Sequence, residues 1–206
     1  MRRPNPLLLN RRQFVTRVMP ACALTCIAGR ALAFAQAEGT DEEEPAHKFD
    51  KKLPFELTNR QFVTSKYREY IALGKALKGE LGNKRALELL KRVTTDEMLA
   101  MGKRQAENSP DDSFQTYVGG FRGDRYKDSL TMEIVEDTDR VFELNVTECL
   151  WATVFRDADA ADIGYAGVCY GDYAWAQGFN PKIRMVRDKT LMQGHECCNH
   201  RYLWEG

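Results

Sequence analysis

Cys149, Cys169, Cys197 and Cys198 all fall between residues 149 and 200, together with His195 and His200, two of the chain's three histidines. The only other cysteines, Cys22 and Cys26, lie in the first 35 residues. Soft, titratable side chains gathered in this way suggest thiol chemistry or metal ligation in the last third of the protein. The plainer alternative is that four small apolar side chains pack in one core, since free cysteine is among the most buried residue types. As a metal site the set would be Cys149, Cys169, Cys198 and His200, with Cys197 to spare, and zinc the ion it would take. No CxxC or HxxxH spacing supports that reading locally. A Cys197–Cys198 disulfide would close a strained eight-membered ring and is disfavoured.

The elements that must position these residues follow from periodicity. Thr58-Asn59 reads as a helix cap, and Phe62, Tyr67, Tyr70, Ile71, Leu73 and Leu77 then recur at threes and fours until Leu81-Gly82. A second helix starts at Lys84, and Thr94-Thr95-Asp96-Glu97 reads as the cap of a third, running to Ala106. Their apolar faces serve core packing and contact between copies in a homo-oligomer. From Leu130 the period changes to two. Phe142, Leu144 and Val146 point one way; Glu143, Asn145, Thr147 and Cys149 point the other, toward solvent or a cavity.

Residues 150–179 read as helix again. If unbroken, that helix would hold Cys149 and Cys169 about 30 Å apart, so a break is required, and Asp162-Ile163-Gly164 is the expected place. Cys169 and Asp172 share a helix face at i,i+3. Two strands follow, Lys182–Met192 and Cys197–Trp204, joined across Gly194. In the second, Cys198, His200 and Tyr202 share one face and Cys197, Asn199 and Arg201 the other. The fold class is therefore α+β, with N-terminal helices and a broken central helix packed on a small antiparallel sheet. Folding the central helix back across the sheet would gather Cys149, Cys169, Asp172 and Cys198 around one cavity floored by Glu143, Asn145 and Thr147.

The N-terminus reads as an export signal. Asn10-Arg11-Arg12-Gln13-Phe14 is a twin-arginine pattern, followed by a mildly apolar run and small-x-small cleavage sites ending at Ala33 and Ala35. The run is too short and weak for a membrane span, which needs roughly 20 apolar residues. The expected division is 1–35 signal peptide, 36–57 acidic linker and 58–206 one folded domain, located in the periplasm. Removing residues 1–35 takes away six arginines and no acids, leaving 24 basic against 30 acidic residues, near −6. That balance offers no footprint for nucleic acid or an anionic membrane surface and is compatible with a small-molecule partner.

With these residues in view, the C-terminal block resembles the L-2-amino-thiazoline-4-carboxylic acid hydrolase family. The matching features are Thr147-Glu148-Cys149-Leu150-Trp151, Cys169 with Asp172 three on, and Phe179-Asn180-Pro181. Arg187-Asp188-Lys189-Thr190-Leu191, Gly194 and Cys198-Asn199-His200-Arg201-Tyr202 complete it, although Asn199 and His200 depart from the family's frequent Cys-Asp-Phe. The resemblance covers about residues 58–204 and implies hydrolytic opening of a cyclic amidine to a carbamoyl-cysteine. Such chemistry needs a nucleophile at the amidine carbon, a proton donor and a cation for the carboxylate. The candidates here are Cys149 or Cys169 as the nucleophile, Asp172 as the acid and Arg187 or Arg184 as the cation; Cys198 completes the catalytic set, and Glu143, Asn180 and His200 join Arg187 as substrate-binding candidates. The competing expectation is a non-catalytic small-molecule or metal-binding sensor domain built on the same Cys/His cluster.

Overall fold

The computed structural model describes residues 55–206; the twin-arginine segment and most of the acidic linker lie outside the described residues. Helix α1 (Asn59–Leu81) opens with a capping box. Thr58 Oγ1 accepts from the Gln61 amide at 3.2 Å and Gln61 Oε1 accepts from the Thr58 amide at 2.9 Å, satisfying two donors that a helix start otherwise leaves bare. The helix ends at Gly82, whose φ of 78° disfavours side chains.

Helix α2 then runs unbroken over Asn83–Glu107, so the expected third helix cap at Thr94–Glu97 is not used. The reason is visible at two threonines. Thr94 is buried in the face that meets the later helices, and Thr95 Oγ1 donates to the Lys91 carbonyl at 2.8 Å, bonding within its own helix instead of capping a new one. A short helix α3 (Phe114–Gly119), N-capped by Ser113, leads to the sheet.

Strands β1 (Leu130–Asp137) and β2 (Val141–Cys149) form a hairpin, and the sheet order is β1-β2-β4-β3 with every neighbour antiparallel. β3 covers only Ile183–Val186, shorter than the expected 182–192, and β4 covers Cys198–Trp204. The strand stops at Val186 because Asn199 Oδ1 captures the amides of Asp188 and Lys189 at 3.2 and 2.8 Å, turning the chain out of the ladder. Arg187 still follows Ile183 and Met185 on the inward face, continuing the alternation of β3.

Between β2 and β3 lies the broken helix. It comprises α4 (Leu150–Asp157), α5 (Ala161–Gly164), a single π-turn (Tyr165–Cys169) and α6 (Gly171–Phe179). The break falls at residues 158–160, ahead of the expected Asp162–Gly164. Asp159 adopts a left-handed φ of 49° there, and the Ala160 amide bonds back to Phe155 O at 2.9 Å. No helix among the described residues is long and apolar enough to cross a membrane.

Two apolar clusters result. One lies beneath the sheet, with Val118, Phe142, Leu144 and Tyr202 almost fully buried. The other joins α1, α4 and α5 through Ile71, Phe155, Ile163 and Met192. Cys149 and Leu191 pack against both, so they mark the seam between them.

Candidate functional site

A β-bulge decides where Cys149 points. Thr131 pairs with Glu148 and Met132 with Val146, so Thr147 is an extra residue in β2. One inserted residue reverses the alternation beyond it. Val146 is buried, Thr147 and Glu148 are exposed, and Cys149 turns inward to the seam. Cys149 also caps α4, its Sγ lying 3.5 Å from the Ala152 amide.

Strict alternation had put Glu143, Asn145, Thr147 and Cys149 on one face. The bulge separates Cys149 from the other three. Glu143 lies on the outer face of the sheet, where it and Glu136 both pair with Arg201. Asn145 faces Cys197 there, with Sγ 3.9 Å from Oδ1. The cavity floor expected from Glu143, Asn145 and Thr147 is therefore replaced by the inner face of the sheet: Leu144, Val146, Cys198 and His200.

Arg187 is the centre of the inner face. Its side chain is 1% exposed. Nη1 donates to Asp172 Oδ2 at 2.6 Å and lies 3.2 Å from His200 Nε2. Nη2 donates to the Cys169 carbonyl at 2.7 Å. The guanidinium stands 5.1 Å from the ring centre of Tyr173, whose hydroxyl donates to the Arg187 carbonyl at 3.0 Å. Arg187 Nε is buried and has no partner among the described residues. The π-turn contributes directly: by closing on the Tyr170 amide (2.8 Å to Tyr165 O) it offsets the helix so that Cys169 O and Asp172 both face Arg187. Such turns recur at functional sites.

The electrostatics follow from one buried cation and one carboxylate. Burial opposes the charge on Arg187, but Asp172 and Cys169 outweigh it and keep the guanidinium charged. Burial raises the Asp172 carboxyl, with Arg187 pulling back in part. Burial pushes the Cys149 thiol up to about 11 and that of Cys169 well above its ordinary value. Cys198 is raised for the same reason, although its sulfur accepts from the Leu191 amide at 3.1 Å. An anion on Cys169 would be repelled by Asp172 and by anions on Cys149 or Cys198, so the groups sense one another across the seam. All three thiols are protonated at neutral pH.

The chain is covered from residue 63 to residue 202 by the family model of L-2-amino-thiazoline-4-carboxylic acid hydrolase. This protein belongs to that family. Among curated proteins nothing matches the chain. A solved structure of related shape is the phenol-responsive sensory domain of the transcription activator PoxR with phenol. It is 16% identical, covers 69% of this chain and 74% of that one, and has a TM-score of 0.46.

Of the residues singled out in this family member's sequence, the structure brings Cys149, Cys169, Asp172, Arg187, Cys198 and His200 to the seam. Glu143 stands outside it. Asn180 is also engaged elsewhere: its Nδ2 donates to Asp112 O at 2.9 Å and its Oδ1 accepts from the Lys182 amide at 2.9 Å, closing the turn from α6 to β3. Among the described residues no three His, Cys, Asp or Glu side chains are grouped to hold a metal ion, so the Cys₃His set is not assembled. Sequence reasoning missed Tyr173, which gave no signal beyond its place next to Asp172, and the inward role of Leu191.

Proposed function

We propose that this domain binds a small, net-neutral cyclic amidine carboxylate such as L-2-amino-thiazoline-4-carboxylate and opens its ring with water. The observation that carries this reading is the Arg187–Asp172 pair, each partner of which keeps unfilled hydrogen-bonding capacity. Arg187 Nε–H has no acceptor, and among the described residues the second oxygen of Asp172 takes no hydrogen bond. A ligand bearing both a carboxylate and an amidinium would satisfy one with each end, since carboxylates bind amidinium N–H groups and guanidinium donors bind carboxylates.

The protonated thiols favour water over a resting thiolate as the attacking group. Burial makes Asp172 a stronger base than a surface carboxylate. It would take a proton from water as oxygen adds to the amidine carbon. The ring C–N or C–S bond then breaks, the leaving atom taking that proton, and an S-carbamoyl or N-carbamoyl cysteine results with no other product. Incubating the mature protein with the thiazoline should yield a product heavier by one water, and Asp172→Asn, checked for folding by circular dichroism, should yield none. Binding without that product would support the second reading, a sensor domain, which the closed, protonated thiols also favour.

The twin-arginine motif supports export of this small-molecule domain to the periplasm. Replacing Arg11 and Arg12 by lysine should leave precursor in the cytoplasm; normal accumulation outside it would end that reading.

A further inference from the structure

His200 sits in the middle of β4, opposite Leu144, on the inner face between Cys198 and Tyr202. Its two ring nitrogens meet different partners. Nε2 lies 3.2 Å from Arg187 Nη1, and Nδ1 lies 3.3 Å from the Tyr202 hydroxyl oxygen. A guanidinium has five N–H donors and no acceptor, so the nitrogen facing it must offer a lone pair. Nε2 therefore carries no proton, and the neutral ring keeps its proton on Nδ1, aimed at Tyr202.

The two Nη1 hydrogens of Arg187 are then both engaged, one on Asp172 and one on His200. Nη2 is held by the Cys169 carbonyl. The second Nη2 hydrogen and Nε–H are left over, and Nε is the one guanidinium nitrogen with no partner among the described residues. We infer that His200 is a positioning residue: a neutral imidazole, locked in its Nδ1–H form, that pins Arg187 Nη1 and so sets the direction in which Nε–H meets a ligand.

The surroundings agree with a ring that does not titrate in the physiological range. The charged groups facing it are Arg187 from the segment after β3 and Asp172 from α6, and that carboxylate is already bonded to Arg187. From its own strand come the phenol of Tyr202 and the thiol of Cys198. Protonating Nε2 would turn N–H against N–H and set one cation on another. Burial and the Arg187 charge accordingly hold the ring's pKa down at about 3. The same occupancy leaves neither nitrogen for a metal or for proton transfer to substrate.

The consequence for ligand affinity rests on the reading that Arg187 meets the ligand; the tautomer and the hold on Arg187 do not. Long-range ¹⁵N spectra of the full mature protein, labelled in histidine and arginine, read both. His200 should show a bare Nε2 and a protonated Nδ1, unchanged from about pH 5 to about pH 8. Protonation on Nε2, or titration at an ordinary histidine value, would overturn the inference. The Arg187 Nε–H signal should be sharp in the wild type, exchange faster in His200→Phe, which keeps a ring without an acceptor, and recover in His200→Gln. An Arg187 signal indifferent to both substitutions would equally sink it. On the thiazoline, His200→Phe should raise KM about tenfold, the loss of one hydrogen bond to a charged group, with kcat moved far less. A wild type without turnover would count against the proposed reaction while the spectra still decide the role of His200.

Discussion

Arg187 and Asp172 stabilise the fold only as a pair. Taking a guanidinium whose side chain is 1% exposed out of water is costly, and the carboxylate together with the Cys169 carbonyl offsets that cost. Removing one partner of such a pair strands the other charge, typically at about 3–5 kcal/mol. Asp172→Ala should therefore lower the unfolding free energy by about that amount in urea titrations. Replacing both residues together (Asp172→Leu with Arg187→Met) should cost markedly less than the sum of the single changes, because no buried charge is left. The thiols give a second prediction at this scale. With a pKa of about 11, Cys149 is ionised to about one part in a thousand at pH 8, and Cys169 and Cys198 are raised as well. Cys197 lies on the other face of the sheet, beside Asn145. Alkylation followed by peptide mapping should find Cys197 modified first, with the other three reacting at comparable rates only in denaturant.

Helix α6 carries Asp172, and its position depends on how closely it meets α2. A side chain on Gly102 would overlap the backbone of Trp175 and Phe179, and one on Gly178 would overlap the backbone of Leu99. Both glycines allow the two helix backbones to touch, and backbone cannot yield as a flexible side chain can. Gly102→Ala and Gly178→Ala should each destabilise the domain by about 1–3 kcal/mol. Because α6 would be displaced from its seat between α2 and the sheet, each should also weaken thiazoline binding, measured by calorimetry at temperatures where the variant remains folded. Stability loss with unchanged binding would show that α6 does not set the Asp172–Arg187 geometry.

At the scale of the whole molecule, His200 links stability to pH. Its folded pKa is depressed to about 3 from 6.5, so the contribution is fully present above the unfolded value and is lost as pH falls through the folded one. The unfolded chain takes up a proton that the folded chain refuses, and stability falls by up to about 1.4 kcal/mol per pH unit within that window. Wild-type stability should therefore fall more steeply than that of His200→Phe between about pH 6.5 and about pH 4. Parallel slopes in urea titrations across that range would show that the ring is not protected.

The residues themselves determined the class of the fold and the inward partners of β4. A helix cap at Thr58-Asn59, a change of period near Leu130 and the alternation of Cys198, His200 and Tyr202 are local, and the structure keeps all three. Short-range steric and hydrogen-bonding preferences act within a few residues, so they survive in a linear reading. The errors lie where distant segments compete for the same backbone or side chain. Thr94 lost its cap because α2 is buried against later helices, and β3 stopped early because Asn199, ten and eleven residues on, captured its continuing amides. A single bulge at Thr147 sent Cys149 inward and left Glu143 with Arg201 outside. The same holds for the seam: Cys149, Cys169, Asp172 and His200 were named from type and spacing and Arg187 from the family resemblance, but which of them share Arg187 was decided by tertiary structure alone. A buried charge takes its partners from whatever groups the packed elements deliver within hydrogen-bond reach, and no local pattern along the chain encodes that set.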